Sequence, residues 1–355
     1  MDKYIDYYND SKKVTYHEQT DISNILKLRA VLKTLPDFCK DYFRAMDPLT
    51  TTKTRISYAY DIRIFFQFLL DENPAFKDYS MKDFTVDVLD QLKAIDIEEY
   101  QEYLKVYKNG DKTETNGERG LKRKISALRS FYAYYYKHEF IQTNPTVLVD
   151  VPKTHEKNII RLDADEVAML LDHIEHCGDE LTGQKRVYYE KTKERDLAIV
   201  TLLLGTGIRV SECVGLDITD VDFDNDRIRI IRKGGAESFV YFGNEVREAL
   251  IDYANERKDK IPLKGHENAF FLSRQNKRLG VRSIEILVKK YAGTVTNIKK
   301  ITPHKLRSTY GTNLYQESRD IYLVADVLGH KDVNTTRRHY ADMVDENKRK
   351  ARNIV

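Results

Sequence analysis

Apolar and aromatic positions in this chain recur mostly at helical spacing, and Pro, Gly and Asn punctuate them. Residues 21–35 (DISNILKLRAVLKTL) predict one helix after a polar lead. Residues 38–46 predict a second, which ends at Asp47-Pro48. Residues 50–72 carry a long helical pattern that stops before Asn73-Pro74. Residues 86–107 supply two short helices, and residues 108–120 (KNGDKTETNGERG) read as a loop. Residues 120–140 are again helical, with a stop near Thr143-Asn144-Pro145.

The pattern changes after a polar, basic stretch at residues 151–161, which reads as an interdomain linker. Residues 163–177 form a helix, residues 178–194 a polar helix–loop insertion, and residues 194–207 an apolar helix ending at Gly205 or Gly207. Period-two and β-branched runs follow at 216–224, 227–232 and 238–243, with turns at Asp224-Asn225-Asp226 and Lys233-Gly234-Gly235. Residues 243–258 and 280–295 are helical, and residues 268–274 (NAFFLSR) predict one short buried strand. The fold class expected is mainly α with a small antiparallel β-sheet.

Composition narrows the class. At 355 residues, with 41% hydrophobic and 32% charged, the chain suits two or more soluble domains. No apolar run is long enough for a membrane span, and the polar N-terminus is no signal peptide. Cys39, Cys177 and Cys213 are scattered and odd in number, which fits neither a disulfide framework nor a zinc site and makes a cytoplasmic location the expectation. Net charge is only +3, so any nucleic-acid surface must be local. There is no phosphate-binding Gly-rich loop, no dinucleotide fingerprint and no carboxylate cluster with metal-ligand spacing. No cofactor or metal is expected.

The chemistry concentrates in residues 301–342 (ITPHKLRSTYGTNLYQESRDIYLVADVLGHKDVNTTRRHYAD). Pro303 suits a first helical turn, and His304 and Arg307, three apart, share a face. The run IYLVADVL stops at Gly329, with His330 immediately after, and a third helix would carry Tyr340. Each piece alone has an ordinary structural explanation: an exposed polar face, a C-cap, a core aromatic. The conjunction decides. TPHKLRSTYGTNLY and VLGHKDVNTTRRHYAD resemble the C-terminal catalytic boxes of the tyrosine recombinases, the family of phage and transposon integrases and Xer resolvases. GTGIRVSECVGL resembles the family's first arginine box, with Arg209 and Glu212 in matching places, and IRIIRKGGAESFVYFG its lysine hairpin, with Lys233 at the match.

That resemblance implies site-specific DNA recombination through a covalent 3′-phosphotyrosine. Such chemistry needs a phenol to attack phosphorus, guanidinium groups for the non-bridging oxygens, an acid for the leaving 5′-oxygen and a base for the phenol. The implied roles are Tyr340 as nucleophile, Arg209 and Arg307 as phosphate clamp, Lys233 as general acid, and His304 as general base. His330 would donate a hydrogen bond to the phosphate, and Glu212 would orient Arg209 or a neighbouring histidine from behind. A type IB topoisomerase-like enzyme and a non-catalytic DNA-binding regulator are the alternatives.

The resemblance also implies a DNA clamp of two domains. The divisions expected are an N-terminal extension at 1–35, a helical core-binding domain at 36–150, a linker at 151–161, a catalytic domain at 162–342, and a tail at 343–355 that docks on a neighbouring protomer. The core-binding domain offers two basic stretches for DNA phosphates: Lys53 and Arg55, then Arg119, Lys122, Arg123 and Lys124. A solvated charged face is the ordinary alternative for any one of them. The expected partners are double-stranded DNA recombination sites, bound by a homotetramer on two sites. Accessory DNA-bending proteins are compatible with that assembly, and no membrane partner is expected.

Overall fold

The structure, a computed structural model, describes residues 15–151, 153, 160–232, 235–296, 298–330, 332, 333 and 336. It divides into two compact units, Met1–Lys157 and Asn158–Val355.

The first unit is helical. Helix α1 (Tyr16–Leu32) opens on a reciprocal cap: the Thr15 N–H donates to the Glu18 carboxylate at 2.8 Å, and the Glu18 N–H donates to the Thr15 hydroxyl at 3.3 Å. Then come α2 (Cys39–Ala45), α3 (Thr52–Glu72), α4 (Val88–Gln91) and α5 (Ala94–Tyr103), and α6 (Glu118–Lys137) closes the unit. Leu28, Val31 and Leu35 lie in the same core as α3 and α6. The described part of the stretch expected as an N-terminal extension thus packs on the helical core.

This core is aromatic. Phe65, Phe66, Phe131 and Tyr132 are fully buried, and Phe66 meets Phe131 edge to face at 6.2 Å. The abundance of Tyr is partly explained here. Tyr42, Tyr100, Tyr132 and Tyr135 are buried with hydroxyls donating to Ser130 Oγ, Asp61 O, Leu89 O and Phe38 O. Each ring supplies apolar area while its one polar atom stays bonded.

Helices α3 and α6 run parallel. Asp61 faces Arg123 and Lys124, and one to two turns on, Phe65 and Phe66 face Tyr132 and Phe131. The N-terminal turns of both helices consequently lie at one end of the unit.

Residues 108–120 are not all loop, a correction to the sequence reading. Strands β1 (Val106–Asn109) and β2 (Lys112–Thr115) pair antiparallel from Val106↔Thr115 to Asn109↔Lys112. Gly110, at φ +62°, makes the tight turn that only a residue without Cβ adopts cheaply. The hairpin was hidden because its strands lack apolar alternation: of their residues only Tyr107 is buried, its ring 5.4 Å from that of Tyr103.

The second unit begins with α7 (Ala164–His176). The insertion expected at 178–194 contains α8 (Gly183–Glu190) and packs back on α7, since the buried Tyr189 hydroxyl donates to Ile174 O at 3.1 Å. Helix α9 (Lys193–Thr206) is buried on most sides, with Ala198, Ile199, Val200, Leu202 and Leu203 nearly inaccessible. At its start the buried Arg195–Asp196 pair is fully partnered: Arg195 also donates to Leu272 O at 3.1 Å, and the Tyr291 hydroxyl donates to Asp196 at 3.1 Å.

After α10 (Val210–Gly215) comes a three-stranded antiparallel sheet in the order β3 (Val221–Asp222), β4 (Arg227–Ile231), β5 (Glu237–Tyr241). Ile228, Ile230 and Val240 point inward from it. The strand expected at 268–274 is reduced to isolated bridges, Asp217↔Ala269 and Leu272↔Arg278. Its apolar run records burial of Ala269–Leu272, not ladder pairing. Helices α11 (Asn244–Lys258), α12 (Val281–Val295), α13 (Pro303–Ser318) and α14 (Ile321–Leu328) complete the described elements of the unit.

Candidate active site

The centre of the site is the last turn of α14. Asp320 caps the start of that helix by accepting from the Tyr322 and Leu323 N–H groups at 2.8 and 3.1 Å. Gly329 ends it at φ +61°, and the His330 N–H donates back to Ala325 O at 2.8 Å. The carbonyls of Val327, Leu328 and Gly329 then project without a helical N–H to meet them. Such a terminus favours cations, because the helix dipole leaves partial negative charge there.

Three arginines converge on it. Arg209 follows α9, which ends at Gly207 in the left-handed region with φ +62°. A Cβ on Gly207 would strike the Tyr310 ring at 2.3 Å, so the sharp exit and the close packing both require glycine. Arg209 donates to Gly329 O at 3.2 Å. Glu212, buried at the start of α10, accepts from the Arg209 backbone N–H at 2.7 Å and from its guanidinium at 2.8 Å. The same carboxylate caps the helix and fixes the guanidinium. Arg307, on α13, is buried and donates to Gly207 O and Leu328 O, which binds the exit of α9 to the end of α14. The third is Arg232, just after β4, which donates to Leu328 O at 3.0 Å and Val327 O at 2.9 Å.

His304 lies one turn before Arg307 on α13, beyond the Pro303 that opens the helix. Its ring is exposed on one side. Partial desolvation on the other, reinforced by Lys305, Arg307 and Arg209, holds its pKa below the ordinary histidine value. His330 is half-buried, with Nδ1 2.7 Å from the hydroxyl of the buried Thr336. Lys233 and Tyr340 lie outside the described residues. The structure thus gathers Arg209, Glu212, Arg307 and His330 at one helix end, with His304 a turn away on α13.

The residues singled out in the first unit divide. Lys53, Arg119 and Lys122 are exposed in the N-terminal turns of α3 and α6, at the same end of the unit. Arg55 is turned inward and paired with Asp47. Arg123, half exposed, pairs with the buried Asp61. Lys124 is buried, its ammonium 3.5 Å from Asp61, so it presents no charge at the surface. A sequence signal existed for this: Lys124 stands on the stripe of Leu121 and Leu128, three and four residues away. Arg232 was not singled out, because nothing in its sequence context beyond adjacency to Lys233 shows where it points.

Among the described residues no group of His, Cys, Asp and Glu has the geometry of a metal site, and no helix is long and apolar enough to cross a membrane.

Comparison with known proteins places the chain in a family. The model of the phage integrase family matches residues 160–347. The tyrosine recombinase XerC of Caldanaerobacter subterraneus subsp. tengcongensis is 32% identical over 292 residues, covering 79% of this chain and 75% of that protein. The tyrosine recombinase XerS of Streptococcus equi subsp. zooepidemicus is 28% identical over 347 residues, covering 91% and 97%. In fold, the chain is similar to the XerH site-specific recombinase bound to palindromic difH substrate in a post-cleavage complex, with TM-score 0.62, 20% identity, and coverage of 85% and 80%. It is also similar to the Tn1549 transposon integrase in complex with transposon right end DNA, with TM-score 0.60, 21% identity, and coverage of 88% and 99%. The chain belongs to the phage integrase family and is a tyrosine recombinase, an enzyme of site-specific DNA recombination. A topoisomerase-like enzyme and a non-catalytic regulator are not favoured.

Proposed function

We propose that this recombinase acts in the cytoplasm on double-stranded DNA sites, as a homotetramer across two of them, with Tyr340 as its nucleophile. The phenolic oxygen attacks the scissile phosphorus. A bond from phosphorus to the tyrosine oxygen forms as the bond from phosphorus to the 5′-oxygen breaks, which leaves a 3′-phosphotyrosine and, once protonated, a free 5′-hydroxyl. Attack by a 5′-hydroxyl from the partner site reverses these steps and rejoins the strands without net hydrolysis. His304, whose pKa its surroundings hold below the ordinary histidine value, takes the phenolic proton. Lys233 gives a proton to the departing 5′-oxygen. Arg209 and Arg307 bind the non-bridging oxygens, whose charge grows in the transition state, and His330 adds a hydrogen bond.

One observation carries this reading: two guanidiniums on separate elements, with a histidine beside them, meet at the single turn Leu328–His330. A buried carboxylate, Glu212, holds one of them from behind. In the first unit, Lys53, Arg119 and Lys122 sit at two helix N-termini on one end, which suits phosphate contact on both counts. The division into a core-binding unit, a linker near 151–161 and a catalytic unit belongs to the same proposal.

The test is a plasmid carrying two copies of the cognate site in direct repeat. The reading predicts two resolved circles from one. Relaxation of supercoils without recombinant circles would move the protein to topoisomerase-type activity, and binding without strand breakage to a regulator.

A further inference from the structure

Among the described residues, Arg232 is the guanidinium at the α14 terminus for which the proposed chemistry has no use. It leaves β4 at the point where the strand turns back toward β5. Its N–H donates to Ala236 O at 2.8 Å, and the Gly235 N–H donates to its carbonyl at 3.0 Å. Its side chain donates to Val327 O and Leu328 O at 2.9 and 3.0 Å. Gly329 lies directly beneath it: a Cβ there would meet Arg232 atoms at 2.6–2.9 Å. The glycine that ends α14 is thus also the gap through which Arg232 reaches the helix end. A guanidinium suits this place, since its fork can span two successive carbonyls and a lysine ammonium cannot hold both in one plane. The backbone of Arg232 is covalently continuous with Lys233.

We propose that Arg232 is a positioning residue: it ties the β4–β5 turn to the end of α14 and so sets the place from which Lys233 delivers its proton. This rests on the reading of Lys233 as general acid. Arg232 takes no proton and touches no phosphate in this account. Its effect passes through the neighbouring lysine, whose misplacement by about 1 Å is enough to cost on the order of 100-fold in rate.

The test compares Arg232→Ala, Arg232→Lys, Lys233→Ala and the double alanine variant in single-turnover formation of the covalent adduct. Each is measured on DNA with an ordinary 5′-oxygen and on DNA with a bridging 5′-sulfur at the scissile position. A thiolate, with a thiol pKa near 8.5, leaves without a proton donor. Arg232→Ala should bind a single site within about twofold of wild type, cleave ordinary DNA about 10- to 100-fold more slowly, and recover on the sulfur substrate. On the Lys233→Ala background the Arg232→Ala change should cost less than about a further twofold, because both act in one step. Arg232→Lys should behave like Arg232→Ala, since charge alone does not hold the turn.

Multiplicative losses in the double variant would overturn the proposal. So would a defect of Arg232→Ala that persists on sulfur while Lys233→Ala is rescued, or full activity of Arg232→Lys. If Lys233→Ala is itself not rescued, the acid assignment fails separately. The tie is then read by hydrogen exchange: Arg232→Ala should speed exchange about tenfold in peptides spanning 229–237 and 321–330. Unchanged exchange in both would remove Arg232 as the link.

Discussion

Two clusters of cations in this molecule look alike in sequence and differ in what they face. In the first unit Arg123 and Lys124 close on Asp61, a buried carboxylate. Burial pushes that carboxyl above the ordinary range even with both cations against it. In the second unit Arg209, Arg232 and Arg307 close mainly on backbone carbonyls at the end of α14, and among the described contacts Glu212 is the carboxylate that meets one of them. A carbonyl satisfies a donor without cancelling its charge. The first cluster therefore joins two helices around a counter-charge, while the second keeps positive charge that only Glu212, among the described carboxylates, meets directly. The difference separates an ion group closed on a carboxylate from one closed on carbonyls, and it rests on the counter-group rather than on the count of basic residues.

Four comparisons press on that contrast, in falling order of effect. Arg307→Ala should slow adduct formation about 10²–10³-fold, the loss seen when one preorganised donor to a transition-state oxyanion is removed. It should not recover on 5′-sulfur DNA, because its charge acts on oxygens that the sulfur does not replace. Recovery there would place Arg307 with the acid. Asp61→Ala leaves Lys124 buried without its partner and should lower stability by about 3 kcal/mol, toward the low end for a broken buried pair because Arg123 is half exposed. Denaturant unfolding measures this, and a change below about 1 kcal/mol would show that the pair is dispensable.

Lys122→Ala should weaken single-site DNA binding only several-fold and reduce the slope of log affinity against log salt by about 1. Lys124→Ala should leave that slope unchanged, since its ammonium faces Asp61. Equal slope changes would erase the distinction between exposed and inward cations. The smallest effect is in pH. His304 acts as a base only when neutral, and its pKa is depressed in the free protein. Activity is then held as pH falls through 6.5, and the acid limb of the second-order adduct rate lies below that value. A limb that lies above it and disappears in His304→Gln would contradict the depressed pKa.

The local geometry around Arg209, Arg307 and His330 was legible because it is tied to short-range signals: Pro303 at a first helical turn, Gly207 and Gly329 in the left-handed region at helix ends, Glu212 three residues after Arg209. What was not legible depended on partners distant in sequence. Arg232 reaches carbonyls 95 and 96 residues away. Lys124 turned inward because Asp61, 63 residues earlier, waits in the core. The hairpin at Val106–Thr115 carries almost no buried side chain, so its pairing leaves no trace in hydrophobic alternation. The run at Ala269–Leu272 shows the converse error, in which burial without pairing imitates a strand.

The central claim is that strand breakage proceeds through Tyr340 at this arginine-lined helix end. The direct measurement is to trap the protein on a nicked recombination site, digest the SDS-resistant complex, and locate the nucleotide-bearing peptide by mass spectrometry. The account predicts a phosphodiester link on Tyr340, with Tyr340→Phe binding the site normally and forming no adduct. An adduct formed by Tyr340→Phe, or one mapped to another residue, would contradict it.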